Sequence, residues 1–230
     1  MHIGILQAGH PPEPIIQTRG DFDVMFSRLL DGHGFTFSAW DVEHMMFPPS
    51  VDAADGWLIT GSRHGAYEDH PFIQPLEAFV RAARDADKPM VGICFGHQII
   101  AQALGGVVAK FDGGWGLGNH TYETTEGAAI ALNAWHQDQV VTLPATAKVL
   151  ARNAFCENAI VAYGQTAFTI QAHPEFDNAL LADYVSARRG TGTYPDALMD
   201  AAIAATDRPI DDTVMAHSIA QFFKTRVAHV

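Results

Sequence analysis

The N-terminal half of the chain alternates between short apolar runs and stretches with apolar residues at helical spacing. Ile3 to Leu6 reads as a buried strand feeding a loop rich in proline (Pro11, Pro12, Pro14). From Asp21 to Leu30, the positions Phe22, Met25, Phe26, Leu29 and Leu30 fit one face of a helix, which Gly32 and Gly34 end. Phe35 to Val42 alternates like a strand, and Gly56 to Thr60 is a further apolar strand stopped by Gly61. Pro71 to Asp87 is helical by pattern and is broken by Lys88-Pro89. Met90 to Cys94 is a short strand, followed by a helix from Gly96 to Leu104. This alternation predicts an α/β fold: a mainly parallel central sheet flanked by helices.

Beyond Lys110 the pattern changes. Residues as far as Ala167 look β-like and loop-rich, and Thr169 to Ala172 is the last expected strand. Helices are expected over Asn178 to Arg188, Tyr194 to Ala205 and Asp212 to Val227. No linker divides the chain, so the expectation is a single domain over 1–230, with a helical C-terminal extension from about 178.

Composition narrows the function classes. The 230 residues are 48% hydrophobic and carry a formal net charge of -12. Such a surface repels phosphate backbones and anionic lipid heads, so neither nucleic acid nor membrane is an expected partner. Two cysteines, no signal-peptide pattern and no membrane-length apolar run lead to an expected soluble, cytoplasmic protein. No metal-ligand motif and no phosphate- or dinucleotide-binding loop is present, so no cofactor and no metal are expected.

The segment Gly92-Ile93-Cys94-Phe95-Gly96-His97-Gln98 lies between a predicted strand and a predicted helix. It has the G-x-C-x-G form of a nucleophile elbow, in which a sharp turn lifts the central side chain clear of the sheet. The helix that follows points its positive dipole end at the sulfur, an arrangement that favours a thiolate. A thiolate needs a base and an orienting partner. Among twelve histidines, His173 stands out at the end of a predicted strand, in Gln171-Ala172-His173-Pro174-Glu175-Phe176. If the chain stays extended through Pro174, Glu175 points to the same side and fixes the imidazole tautomer. His97 faces away from Cys94 on the helix and is read as structural. Cys156 lies in no motif.

The elbow, followed about eighty residues later by the His-Pro-Glu segment, resembles the class I glutamine amidotransferases, most of all their GMP-synthetase-like branch. The resemblance implies that Cys94 is the nucleophile, His173 the general base and acid, and Glu175 the orienting carboxylate. It implies hydrolysis of the γ-amide of glutamine, or of a γ-glutamyl compound, through a cysteinyl thioester. For the oxyanion hole, the elbow supplies the N–H of Phe95, and the family pattern places a second donor at Gly61. Gly61 also fits a plain strand-to-loop turn, and Ser62 to Asp69 depart from the family's usual glycine- and proline-rich run. Gln98, one helical turn after Cys94, either helps hold the substrate or caps the elbow as a buried amide. The tract Trp135-His136-Gln137-Asp138 resembles one that binds the α-amino and carboxylate groups of glutamine. It makes His136 and Asp138 substrate-binding candidates, whereas Trp135 fits the core equally well. Gly114 to Gly118 echoes a pocket loop of this branch. The chain has no room for an ammonia-accepting domain. It is therefore expected either to pair with a separate acceptor or synthetase subunit or to act as a free-standing γ-glutamyl peptidase or hydrolase. A non-catalytic binding module is the alternative from another class, and the intact Cys94, His173 and Glu175 set weighs against it.

Overall fold

The first apolar run forms β1 (His2–Gln7) in a computed structural model that describes residues 1–230. Where the prolines predict a loop, the chain instead makes a short helix, α1 (Glu13–Arg19). Pro12 caps it and Pro14 sits in its first turn, where a missing N–H leaves no helical hydrogen bond unmade. Then come α2 (Phe22–Leu29), capped by Asp21, and β2 (Thr36–Asp41), β3 (Gly56–Ile59), α3 (Ile73–Asp85), β4 (Met90–Ile93) and α4 (Phe95–Ala103). The middle third supplies β5 (Val107–Lys110), β6 (Gly116–Thr124), β7 (Ala129–His136), β8 (Asp138–Thr142), β9 (Ala147–Arg152), β10 (Ile160–Tyr163) and β11 (Ala167–Ile170). Three helices close the chain: α5 (Asn178–Arg188), α6 (Asp196–Ala204) and α7 (Asp212–Thr225).

Nine strands form one sheet in the order β2-β1-β3-β4-β11-β10-β9-β6-β7. The run β2-β1-β3-β4-β11 is parallel throughout, and the strands beyond β11 extend it antiparallel. Strands β5 and β8 make a separate antiparallel pair. The central strands are apolar on both faces because helices cover both. Ile3, Ile5, Leu58, Val91, Ile93, Phe168 and Ile170 pack with residues of α2, α5 and α7. The alternate positions Leu6, Trp57, Ile59, Met90 and Ala167 pack with α3 and α4. Met199 and Ala202 of α6, and Met215, Ile219 and Phe222 of α7, are buried in the first of these clusters.

In an open parallel sheet the chemistry gathers outside the carboxyl ends of the strands. Here β3, β4 and β11 are neighbours, so the residues that follow them, Gly61, Cys94 and His173, emerge side by side.

Candidate active site

Cys94 sits between β4 and α4 with φ 52 and ψ -102, a conformation a side chain rarely adopts. The flanking glycines are required by space. A Cβ on Gly92 would lie 2.4 Å from the Gly96 carbonyl oxygen, and a Cβ on Gly96 would lie 2.1 Å from that of Ile59. The strained turn that the G-x-C-x-G spacing predicts is therefore present, with the chain folded closely on itself and on β3.

The predicted strand before His173 ends earlier than expected, at Ile170, and the His-Pro-Glu segment is a turn. The Phe176 amide donates to the His173 carbonyl at 3.1 Å, with Pro174 and Glu175 at the corner. Glu175 thus reaches the imidazole by chain reversal, not by an extended backbone. Its Oε1 lies 2.7 Å from His173 Nδ1, and both side chains are almost fully buried. Burial alone would lower the His173 pKa. The Glu175 carboxylate, followed by the Cys94 side chain, outweighs it and raises the value from 6.5 to about 10. The ring is also stacked on Phe176, with centroids 4.2 Å apart.

Asn133, fully buried in β7, anchors the turn at both ends. Its carbonyl accepts from the His173 amide at 2.8 Å, and its side-chain amide donates to the Phe176 carbonyl at 2.8 Å. Sequence reasoning missed it. The available signal was a polar residue set between the apolar Leu132 and Ala134 in the run Ala129–His136.

Gly61 lies against both Cys94 and His173: a Cβ there would come 2.9 Å from His173 Cε1 and 3.8 Å from Cys94 Cβ. The Gly61 amide donates to no protein acceptor. The Phe95 amide opens α4 and has no helical carbonyl behind it. Two candidate oxyanion donors therefore border Cys94. His97 points the other way: it is fully buried, its Nδ1 is 2.8 Å from Thr169 Oγ1, and burial lowers its pKa to about 3. Cys156 is buried too, and burial pushes its thiol up to about 12.

Cys94 and His173 open into a cavity of about 370 Å³. Gln98, His136 and Asp138 line it, as do Trp115 and Trp135. The Gln98 amide nitrogen is already engaged, donating to the Asp138 carbonyl at 2.9 Å and to Gln171 Oε1 at 3.2 Å. Gln98 therefore braces the start of β8. His136 is buried, its Nδ1 is 3.2 Å from that same carbonyl, and burial lowers its pKa to about 3. It is a neutral ring. The Asp138 carboxylate accepts from the Tyr67 hydroxyl at 3.2 Å, and burial raises its pKa. Tyr184, Arg188, Thr193 and Tyr194 complete the wall from the C-terminal region, which the sequence pattern presents only as a helical extension. The spacing of Tyr184 and Arg188 puts them on one face of α5 and was the one available hint.

Residues 41–184, which hold Gly61, Cys94, His173 and Glu175, match the family described as Glutamine amidotransferase class-I. The chain belongs to that family. Among its relatives in the family is a glutamine amidotransferase-like protein of Schizosaccharomyces pombe, 29% identical over 96% of this chain and 98% of the relative. Gamma-glutamyl peptidase 4 of Arabidopsis thaliana is 33% identical over 74% of this chain and 73% of its own. The fold also matches a crystal structure described as a glutamine amido transferase from Methylobacillus flagellatus. Its TM-score is 0.78 at 17% identity, covering 99% of this chain and 96% of that one. No helix of the protein is long and apolar enough to cross a membrane.

Proposed function

We propose that this protein hydrolyses the γ-amide of glutamine or of a γ-glutamyl compound, with Cys94 as nucleophile, His173 as acid and base, and Glu175 as its orienting carboxylate. The observation that carries the reading is the convergence of three strand ends. A strained cysteine, a carboxylate-bound histidine and an unpaired glycine amide meet at one cavity.

In the first half of the reaction the Cys94 thiolate attacks the γ-carbonyl carbon, and a C–S bond forms. The Phe95 and Gly61 amides receive the negative oxygen. His173, protonated by virtue of Glu175, gives its proton to the departing nitrogen as the C–N bond breaks. Ammonia or an amine leaves, and a γ-glutamyl thioester and a neutral imidazole remain. In the second half, water attacks the thioester and gives a proton to His173. The C–S bond then breaks, returning the thiolate and imidazolium and releasing glutamate. Asp138, half-buried beside Tyr67, faces the substrate's α-amino group, while Gln98 and His136 hold the Asp138 backbone in place.

Within this reading, free-standing action on γ-glutamyl compounds is supported by the Arabidopsis relative's name and by the aromatic wall beyond His173. The test is glutamate release by the purified protein from glutamine and from a panel of γ-glutamyl peptides and amides, with Cys94→Ala alongside. Strong turnover of one γ-glutamyl compound, absent in Cys94→Ala, is the expected result. Weak activity on glutamine alone would direct the search to a separate acceptor subunit. No activity, together with a Cys94 that resists a thiol-alkylating glutamine analogue, would leave a binding module.

A further inference from the structure

Besides His173, four cationic side chains line the cavity, and three are accounted for. His10 is bracketed by Asp21 at 2.6 Å and Asp41 at 3.3 Å. Arg63 is paired with Glu43 at 3.0 Å. Lys110 is exposed on the Asp138 side, where its charge acts on that carboxylate. Arg188 differs. It forms no ion pair, and its Nε is buried without any hydrogen-bond partner. The adjacent Arg189 is by contrast held by Asp200 at 2.7 Å. A guanidinium with a buried, unsatisfied donor is a receptor for a planar anion, and a carboxylate is the best match to its fork.

Its place relative to the chemistry decides which carboxylate. His173 must reach the departing nitrogen, so the leaving group lies on the His173 side of the scissile bond. From His173 a run of aromatic contacts leads to Phe176, stacked at 4.2 Å, and on to Tyr184, tilted against it at 4.5 Å. Arg188 follows Tyr184 by one turn on the same face of α5, about 6 Å farther along the helix. Trp135 flanks this path, 5.7 Å from Tyr184. The zwitterionic glutamyl head has both signs of charge available at Asp138 and Lys110, which are cross-strand partners on β8 and β5 and line the same cavity.

We propose that Arg188 and the aromatic wall beside it form a leaving-group subsite, in which Arg188 binds the carboxylate of the departing amino acid or peptide. The substrates favoured are then γ-glutamyl amino acids and short γ-glutamyl peptides, in preference to glutamine or γ-glutamyl amines. This rests on the hydrolytic reading above.

The test compares γ-glutamyl-phenylalanine with its carboxamide, which differ only in that charge. Wild-type kcat/KM should favour the free acid by about 10- to 100-fold, as expected for charge-assisted hydrogen bonds. Arg188→Met should bring the ratio close to one, mainly through KM, and Arg188→Lys should retain part of it. The same ratio should appear as a difference in affinity when both compounds are titrated calorimetrically into the Cys94→Ala protein. A wild-type ratio near one overturns the proposal. So does an Arg188→Met protein that loses activity equally on both compounds and on glutamine, because the guanidinium would then serve the glutamyl head. If Cys94→Ala distinguishes the two compounds but wild type cleaves neither, the subsite stands and the hydrolytic reading fails.

Discussion

Replacing Gly61 by alanine isolates the contribution of the proposed second oxyanion donor. Gly61 has no left-handed backbone requirement, so alanine is tolerated by the chain itself. What opposes it is a contact: the new Cβ would sit 2.9 Å from His173 Cε1, so about half an ångström must be found for an ordinary contact. The imidazole cannot readily give way, because Glu175 holds Nδ1 at 2.7 Å and Phe176 stacks on the ring at 4.2 Å. The displacement therefore falls on the Gly61 loop and its amide. Misplacing a catalytic group by about 1 Å costs on the order of 100-fold, and complete loss of an oxyanion donor about 100- to 1,000-fold. Gly61→Ala should accordingly lose about 10- to 100-fold in kcat, with a stability change below about 1 kcal/mol. Glutamate release under saturating substrate gives kcat, and thermal melting gives the control. Activity within threefold of wild type, at unchanged melting temperature, would refute the placement of the second donor at Gly61.

Glu175→Gln removes the charge that holds His173 protonated, so burial would then depress the imidazole. The mutant should lose about 100- to 10,000-fold in kcat, and the alkaline limb of its pH–rate profile should move down from the wild-type limb. The sign for stability follows from the raised pKa. The pair's contribution is full below pH 6.5 and fades as pH rises through about 10, so the wild-type melting temperature should fall over that window more than the mutant's. Cys94→Gly should be as inactive as Cys94→Ala but melt about 2–4 °C higher. Glycine relieves a φ of 52 that alanine retains, a net gain of about 1 kcal/mol; equal melting temperatures would argue that the elbow is unstrained. Asn133→Ala should cost about 1–3 kcal/mol in stability and lower kcat more than it raises KM, because it frees the Phe176 end of the turn that carries His173 and Glu175; an unaltered kcat would make Asn133 purely structural.

The parts of this site that are legible in the sequence are those made by neighbours along the chain. The Cys94 elbow is written in the spacing of Gly92 and Gly96, since each is needed where the chain folds back on itself. The His173–Glu175 pair is two residues apart, though a turn through Pro174 joins it, not an extended strand. The order of central strands and helices follows from period and breakers, with α1 the exception because proline reads as loop whether it starts a helix or prevents one.

What the sequence did not disclose depends on partners far away in the chain. Asn133 acts on a turn forty residues later, and nothing in its own strand says so. Arg188 reads locally as an ordinary basic residue in the last turn of α5, where a cation is favoured by the helix dipole alone. Only the fold reveals that its donor is buried at a cavity and has no partner. The division has a physical basis. The groups for bond cleavage must be held to within a fraction of an ångström, and strand ends with tight turns do that locally. Choosing a leaving group requires only that distant side chains converge on a common wall, a condition many sequences can meet. A family defined by its elbow and its His-Pro-Glu turn can therefore share its chemistry while the C-terminal helices select the amine that departs as the thioester forms. Arg188 is the position at which that separation is most directly measured in this chain.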